Sequence, residues 1–91
     1  MNNQNGETSP LSFPCQFPIK VMGIHSNTFE NEIVIIARRL IPDLGEGAVR
    51  SRPSSSGKYL SVTLTFTAVS REQLDSLYLS FKDHPGVKMV L

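Results

Sequence analysis

The stretch Tyr59-Leu-Ser-Val-Thr-Leu-Thr-Phe-Thr-Ala68 decides the fold, because apolar and polar side chains alternate strictly along it. Successive side chains of a β-strand point to opposite faces of the sheet. The even-numbered positions are therefore predicted to be buried, and the hydroxyl groups between them are predicted to face solvent. A strand with one apolar face needs a covering layer on that side only.

The segment before this strand contains an amphipathic helix that supplies part of the layer. Apolar residues recur at helical spacing from Phe29 to Leu40, and Pro42 is expected to end the helix. Asn27 and Glu30 have the spacing of a capping pair, in which polar side chains satisfy the free N–H groups of the first turn.

A second amphipathic helix follows the strand. Ser70-Arg-Glu-Gln73 has the pattern of a capping box, and His84-Pro85-Gly86 is expected to end the helix. Its predicted inner face consists of Leu74, Leu77, Tyr78 and Phe81. Each helix has a single apolar stripe, so we expect both to cover the same side of one sheet.

Three further strands complete the pattern, at residues 17–24, 48–54 and 87–91. The resulting βαββαβ order predicts an α+β, ferredoxin-like sandwich, in which a four-stranded antiparallel sheet of order 4-1-3-2 carries two helices on one face. Pro53 lacks the N–H that a central strand needs, which independently places the second strand at an edge. Residues 17–91 form the predicted single domain, and residues 1–16 are predicted to be a flexible polar leader.

Composition excludes several classes of protein. The 91 residues carry a formal net charge of +1, which argues against a strongly basic nucleic-acid binder or an acidic tail protein. One cysteine, Cys15, cannot form an internal disulfide. The longest aliphatic run, Ile33 to Ala37, is much shorter than a membrane span, and no secretory signal is recognisable. We therefore expect a cytoplasmic protein without a membrane contact.

Three blocks of the sequence carry a family resemblance: Lys20-Val-Met-Gly23, Arg52-Pro-Ser-Ser-Ser-Gly-Lys-Tyr-Leu-Ser-Val62 and Val87-Lys-Met-Val-Leu91. In this order and spacing they resemble the YbeD-like family of small bacterial cytosolic proteins. The resemblance implies the same βαββαβ fold and a kinship in shape with the ACT-type regulatory domains of amino-acid metabolism. It also implies a genomic association with lipoate attachment enzymes. It implies no activity, because none is established for the family.

The first candidate site is the loop after the first strand, formed by Gly23, His25, Ser26, Asn27 and Thr28. A glycine, small polar residues and a helix N-terminus are able to hold an anion on free backbone N–H groups. In ACT-type domains the corresponding turn binds effectors, often at a dimer interface. The alternative is that these residues only cap the helix and turn the chain.

The second candidate is the helix-free face of the sheet, where cations and hydroxyl groups are expected to lie together. Its candidate residues are Lys20, Arg50, Arg52, Lys58, Tyr59, Ser61 and Lys88. No acidic residue occurs between Gly47 and Arg71, so this face is predicted to attract an acidic protein, a phosphate or RNA. The alternative is a solvated face kept soluble by its charges.

The third candidate is the turn that contains Pro53, Ser54, Ser55 and Gly57. Its hydroxyl and backbone N–H groups are able to form a nest for an anion. A flexible hairpin between an edge strand and a central strand explains the same residues.

No catalytic, metal or cofactor site is predicted. The loop after the first strand lacks the arginine of acylphosphatase-type enzymes and the Cys-x-x-Cys of metallochaperones, and no catalytic triad stands out. The leading hypothesis is a non-enzymatic regulatory or binding module for a protein partner or a small anionic metabolite, linked to lipoate metabolism only through the resemblance. A single-stranded nucleic-acid binder is the second hypothesis and a structural subunit of a larger enzyme the third. The apolar last strand also predicts a homodimer that forms through edge strands.

Overall fold

The alternating stretch forms the third strand of a four-stranded sheet in the computed structural model, which describes residues 11–91. The elements in chain order are β1 (Cys15–Ile24), α1 (Phe29–Arg38), a short 3-10 turn (Glu46–Ala48), β2 (Val49–Pro53), β3 (Tyr59–Ala68), α2 (Arg71–Lys82) and β4 (Val87–Val90). This order confirms the predicted βαββαβ arrangement.

The sheet has the strand order β2-β3-β1-β4, and all neighbouring strands are antiparallel. Both the order and the edge position of the strand that ends in Pro53 were predicted from the sequence, and both are confirmed. The two long strands pair over their whole length, from Cys15 opposite Ala68 to Ile24 opposite Tyr59.

The core lies between the sheet and the two helices. The even-numbered residues of β3 and the odd-numbered residues of β1 face the helices, as the alternation predicted. The most deeply buried large side chains are Ile19, Val21, Phe29, Ile33, Val62, Leu64, Leu77 and Phe81. Each such side chain contributes about 1.5–3 kcal/mol through removal of apolar surface from water. This layer holds the strands in register, and the register determines the composition of the opposite face.

Two element boundaries differ from the prediction. β1 begins at Cys15 rather than at Phe17, and Phe13 and Cys15 both pack against the core. The first strand therefore starts inside the predicted leader, whose first ten residues lie outside the described range. α1 ends at Arg38, earlier than predicted from Pro42, and the N–H of Leu40 bonds to the carbonyl of Ala37, three residues back. Such bonds tighten the end of a helix into a 3-10 turn.

The predicted capping pair of Asn27 and Glu30 is wrong. Thr28 occupies the position before the first helical residue, and its hydroxyl donates to Glu32 Oε2 at 2.8 Å instead of capping the backbone. Glu30 accepts a short hydrogen bond from the hydroxyl of Ser51 on β2. Both glutamates are thus held by side chains from outside the predicted pair.

The predicted capping of α2 by Ser70 is confirmed, but the returning bond from Gln73 goes to the residue before the cap and not to the cap itself. The hydroxyl of Ser70 accepts the N–H of Gln73 at 3.0 Å, and the Gln73 side-chain carbonyl accepts the N–H of Val69 at 2.8 Å. The amide nitrogen of Gln73 also donates to the carbonyl of Leu40, so this cap ties the start of α2 to the end of α1.

Candidate binding face

The register of the sheet places cations and hydroxyl groups in two rows across the helix-free face. In the first row, Arg50 pairs with Thr63 and Thr63 pairs with Lys20. In the second row, Arg52 pairs with Ser61, which pairs with Met22 of β1. On β1 and β3 these positions alternate with core residues, and the register places Arg50 and Arg52 of β2 in the same two rows. The structure thus brings together most of the predicted face.

The cations of this face have no acidic neighbour close enough to neutralise them. Within residues 11–91, the one basic side chain that lies within ion-pair distance of an acidic side chain is His84, next to Glu32, and this contact lies elsewhere. Arg50, Arg52 and Lys20 are all exposed. Neighbouring strands lie about 4.8 Å apart, so the Cα atoms of Arg50 and Lys20 are separated by roughly 10 Å. Three cations at this spacing create a local positive field that the net charge of +1 conceals.

Two further predicted residues lie near the end of this face. The Lys58 ammonium lies 5.7 Å from the centre of the Tyr59 ring, a cation–π distance, and Tyr59 pairs with Ile24 on β1. Lys88 is exposed on β4 but lies at a register irregularity, so that it has no Cα partner on β1.

The same face has an apolar half that the sequence did not predict. Met89 of β4 pairs with Met22, and Leu91 exchanges two backbone hydrogen bonds with Lys20, so both side chains share the face with the arginines. Ile24, Met89 and Leu91 are 47%, 48% and 61% exposed. The alternation of β1 already indicated the outward position of Met22, but the irregular register of β4 concealed the alignment of Met89 and Leu91.

In the first loop, Gly23 has a packing role. A Cβ atom at this position would lie 2.4 Å from Phe29 Cζ and 2.6 Å from the carbonyl oxygen of Gly86, which is closer than real contacts allow. The Phe29 ring is buried and contacts His84 edge-on at a centroid distance of 5.6 Å. The close approach of the α2–β4 turn to β1 therefore requires glycine here.

The structure joins the first loop to the serine-rich turn, which the sequence presented as separate candidates. The backbone N–H of His25 donates to the carbonyl of Lys58 at 3.0 Å, and Nδ1 of its ring lies 3.0 Å from the carbonyl of Gly57. A carbonyl only accepts hydrogen bonds, so Nδ1 carries the proton in this contact. His25 thus tethers the two segments at one end of the sheet.

The serine-rich turn uses several of its own polar groups. Ser54 accepts the N–H of Gly57 on its carbonyl and the N–H of Tyr59 on its hydroxyl, and Ser56 accepts the N–H of Lys58. Gly57 has a φ of +78°, a conformation in which glycine is favoured. These bonds account for the glycine and for two of the serines as parts of a hairpin turn.

A second polar cluster joins α1 to the α2–β4 turn, and the sequence did not predict it. Nε2 of His84 lies 2.7 Å from Glu32 Oε1, while Nδ1 accepts the N–H of Gly86 at 2.9 Å. The proton of the neutral ring is therefore on Nε2, directed at Glu32. Hydrogen bonds from His84 and Thr28 hold the pKa of Glu32 below its ordinary value. The partners are 52 residues apart in sequence, so no local pattern announces the pair.

Two observations on the described residues bear on other kinds of site. Residues 11–91 contain no group of three or more His, Cys, Asp or Glu side chains arranged to hold a metal ion. In the same range, neither helix has the length and apolar character needed to cross a membrane.

Comparison with known proteins places the chain in a family. Residues 8–91 match the family model described as "Protein of unknown function (DUF493)". The chain belongs to this DUF493 family. A UPF0250 protein of Leptothrix cholodnii is 49% identical over 85 residues, with 93% of each chain covered. A UPF0250 protein of a Janthinobacterium species is 44% identical over the full length of both chains. The DUF493 assignment confirms the YbeD-like resemblance.

Solved structures confirm the fold class. The protein HP0495 from H. pylori superposes with a TM-score of 0.76 at 10% identity, over 94% of this chain and 90% of that one. The ACT domain from GTP pyrophosphokinase of Chlorobium tepidum gives a TM-score of 0.64 at 17% identity, over 84% of both chains. At these identities the likeness concerns the fold alone, and the site of this DUF493 protein rests on its own residues.

Proposed function

We propose that this protein is a non-enzymatic binding module that holds an acidic partner on the helix-free face of its sheet. One observation carries the proposal: the register aligns Arg50, Thr63 and Lys20 across three strands, with no acidic side chain of residues 11–91 paired to either cation. Cations that share one face with hydroxyl donors suit carboxylate or phosphate groups. Helices cover the opposite side, which leaves this face available to a partner.

Binding explains the polar groups better than catalysis does. The residues closest to a catalytic arrangement are Thr28, Glu32 and His84, which form a chain of hydrogen bonds. A general base needs a free nitrogen to accept a proton. Nδ1 of His84 already accepts the N–H of Gly86, and Nε2 faces Glu32. The cluster therefore fits a tie between α1 and the α2–β4 turn.

The test is a titration of the protein with hexaglutamate, in which isothermal calorimetry measures the affinity and amide chemical shifts identify the residues that bind. The double variant Arg50→Glu/Arg52→Glu reverses two charges of the face and is expected to weaken binding by about tenfold, because two exposed ion pairs worth roughly 0.2–1 kcal/mol each are lost and are replaced by repulsion of similar size. Raised salt should weaken binding by the wild-type protein as well. Arg71→Glu/Lys82→Glu is the matched control, since it changes the net charge equally and both residues are exposed on α2, away from the sheet. Equal losses in both variants would contradict the proposal.

Titrations with other ligands, together with light scattering, test the other predicted partners. The lipoate attachment enzymes implied by the family resemblance are the first protein partners to add. A single-stranded oligonucleotide tests the nucleic-acid hypothesis, which the face supports less well because Tyr59 is the one aromatic ring at the outward positions of β1 and β3. Light scattering between micromolar and millimolar concentration tests the predicted homodimer, and a monomer throughout would reject it.

A further inference from the structure

The helix-free face has two chemically different halves, and together they specify a partner. We define the basic half as Lys20, Arg50 and Arg52, and the apolar half as Met22, Ile24, Met89 and Leu91. We infer that the face binds an amphipathic helical segment of another protein, with carboxylates along one flank and aliphatic side chains along the other. This inference rests on the proposed function and names the class of partner.

The two halves are parts of one surface. From β2 to β4, the first row reads Arg50, Thr63, Lys20 and Leu91. In the same direction, the second row reads Arg52, Ser61, Met22 and Met89. A partner that contacts the arginines on β2 and also reaches β4 must cross the hydroxyl groups of β3. Exposed aliphatic residues grouped beside a charged region are typical of a protein interaction site.

The shape of the face argues against a small anion as the main ligand. Small molecules bind in concave sites that enclose most of their surface. Here the centre of an uncovered sheet carries the short side chains of Ser61 and Thr63, between arginines on one edge and aliphatic residues on the other. A small anion would use the basic half and leave the exposed Met89 and Leu91 unexplained.

The chemistry of the apolar half favours protein over nucleic acid. Single-stranded nucleic acids bind through aromatic rings on which their bases stack. The apolar half consists of methionine, isoleucine and leucine, and the ring of Tyr59 is in contact with the ammonium of Lys58. Aliphatic side chains of a partner gain by burial against such residues, whereas the phosphates of a nucleic acid do not.

The width of the face fits a helix. From β2 to β4 there are three strand spacings, which amount to about 14 Å. A helix with its side chains is about 10–12 Å wide, so one helix on the sheet reaches both halves. An extended segment would instead add to a sheet edge, where it would contact one half only.

The test uses three probes on the intact chain. The first is a synthetic 15-residue helical peptide with glutamates along one flank and leucines along the adjacent flank. The second has the same composition in an order that distributes both residue types around the helix. The third is hexaglutamate. We expect the amphipathic peptide to bind at least about fivefold more tightly than its rearranged control, because only the first matches both halves.

Two double variants then separate the halves. Arg50→Glu/Arg52→Glu should weaken both the amphipathic peptide and hexaglutamate by about tenfold. Met89→Ser/Leu91→Ser should weaken the amphipathic peptide by a similar factor and leave hexaglutamate unchanged, since both residues are substantially exposed and the fold does not depend on them. Amide spectra of each variant establish that the fold is retained.

The outcomes distinguish this inference from the proposed function. If Met89→Ser/Leu91→Ser does not weaken binding of the amphipathic peptide, or if both peptides bind equally, the inference of an amphipathic partner is wrong. In that case, loss of hexaglutamate binding in Arg50→Glu/Arg52→Glu still supports the proposed function. If no probe binds, both are wrong. Tighter binding of an oligonucleotide or of anionic phospholipid vesicles than of the amphipathic peptide would also overturn the inference, because it would assign the face to another class of partner.

Discussion

The two faces of β3 differ in what their side chains do, although they belong to one strand. Leu60, Val62 and Leu64 are buried beneath the helices, and Ser61 and Thr63 between them lie on the candidate binding face. One set of residues stabilises the fold, and the other is available to a partner. Core and surface residues thus alternate at the spacing of a single residue, and the proposed function assigns recognition to the surface set.

The largest expected effect tests this separation on adjacent residues. Leu64→Ala should lower the free energy of unfolding by about 3 kcal/mol, because it removes a fully buried side chain and leaves a cavity. Thr65→Ala, one position further along the strand, should cost less than about 1 kcal/mol, which is the range of strand propensity. Urea unfolding measures both values. Similar losses for the two variants would mean that the faces do not differ in this way.

A second substitution tests whether Gly23, at the start of the first loop, is needed for packing rather than for binding. Gly23→Ala should lower the free energy of unfolding by about 2 kcal/mol, because the new Cβ atom would overlap Phe29 and the Gly86 carbonyl. Gly45→Ala is the control, since a Cβ atom there meets nothing within 4 Å. Thermal unfolding of the two variants decides the matter, and equal stability would show that Gly23 is free to change.

The two helix starts permit a smaller comparison. Ser70→Ala should cost about 1 kcal/mol, since it removes the acceptor of the Gln73 N–H. Asn27→Ala should change stability by less than about 0.5 kcal/mol, because the described structure gives Asn27 no capping bond. An equal loss in both variants would restore the capping role that the sequence suggested for Asn27.

The fold was predictable because its signals are local and periodic. Alternation along β3, the apolar stripes of two helices and the edge position of Pro53 together leave few topologies. The basic half of the face followed from the same alternation, because Arg50, Arg52 and Lys20 lie at outward positions once the register is known.

The remaining features depend on where distant segments meet. The apolar half required the irregular register of β4, which brings Met89 opposite Met22. The bond between Glu32 and His84 and the tether from His25 to Gly57 join residues 52 and 32 positions apart. Asn27 has good capping chemistry, but the helix begins after Thr28, whose hydroxyl is drawn to Glu32. Tertiary contacts thus overrode a local capping signal and created contacts that no local pattern indicates.

The smallest expected effect concerns the pH dependence of the tie between α1 and the α2–β4 turn. The pKa of Glu32 is lowered in the folded protein, so the ionised carboxylate stabilises the fold. This contribution is fully present at pH values above the ordinary glutamate pKa of about 4.3. That contribution is lost as the pH falls through the lower, folded value. Glu32→Gln should therefore lower stability at pH 7 and flatten the decline of stability in acid.

Glu72→Gln is the matched control for this prediction, since it also removes a carboxylate from the first turn of a helix, with no described hydrogen bond to its side chain. Urea unfolding between pH 3 and pH 7 compares the two variants with the wild type. The effect should be small, because Glu32 is 44% exposed on its side chain and solvent screens its interaction with His84. If both variants follow the same curve, the contact between Glu32 and His84 contributes nothing beyond an ordinary surface charge.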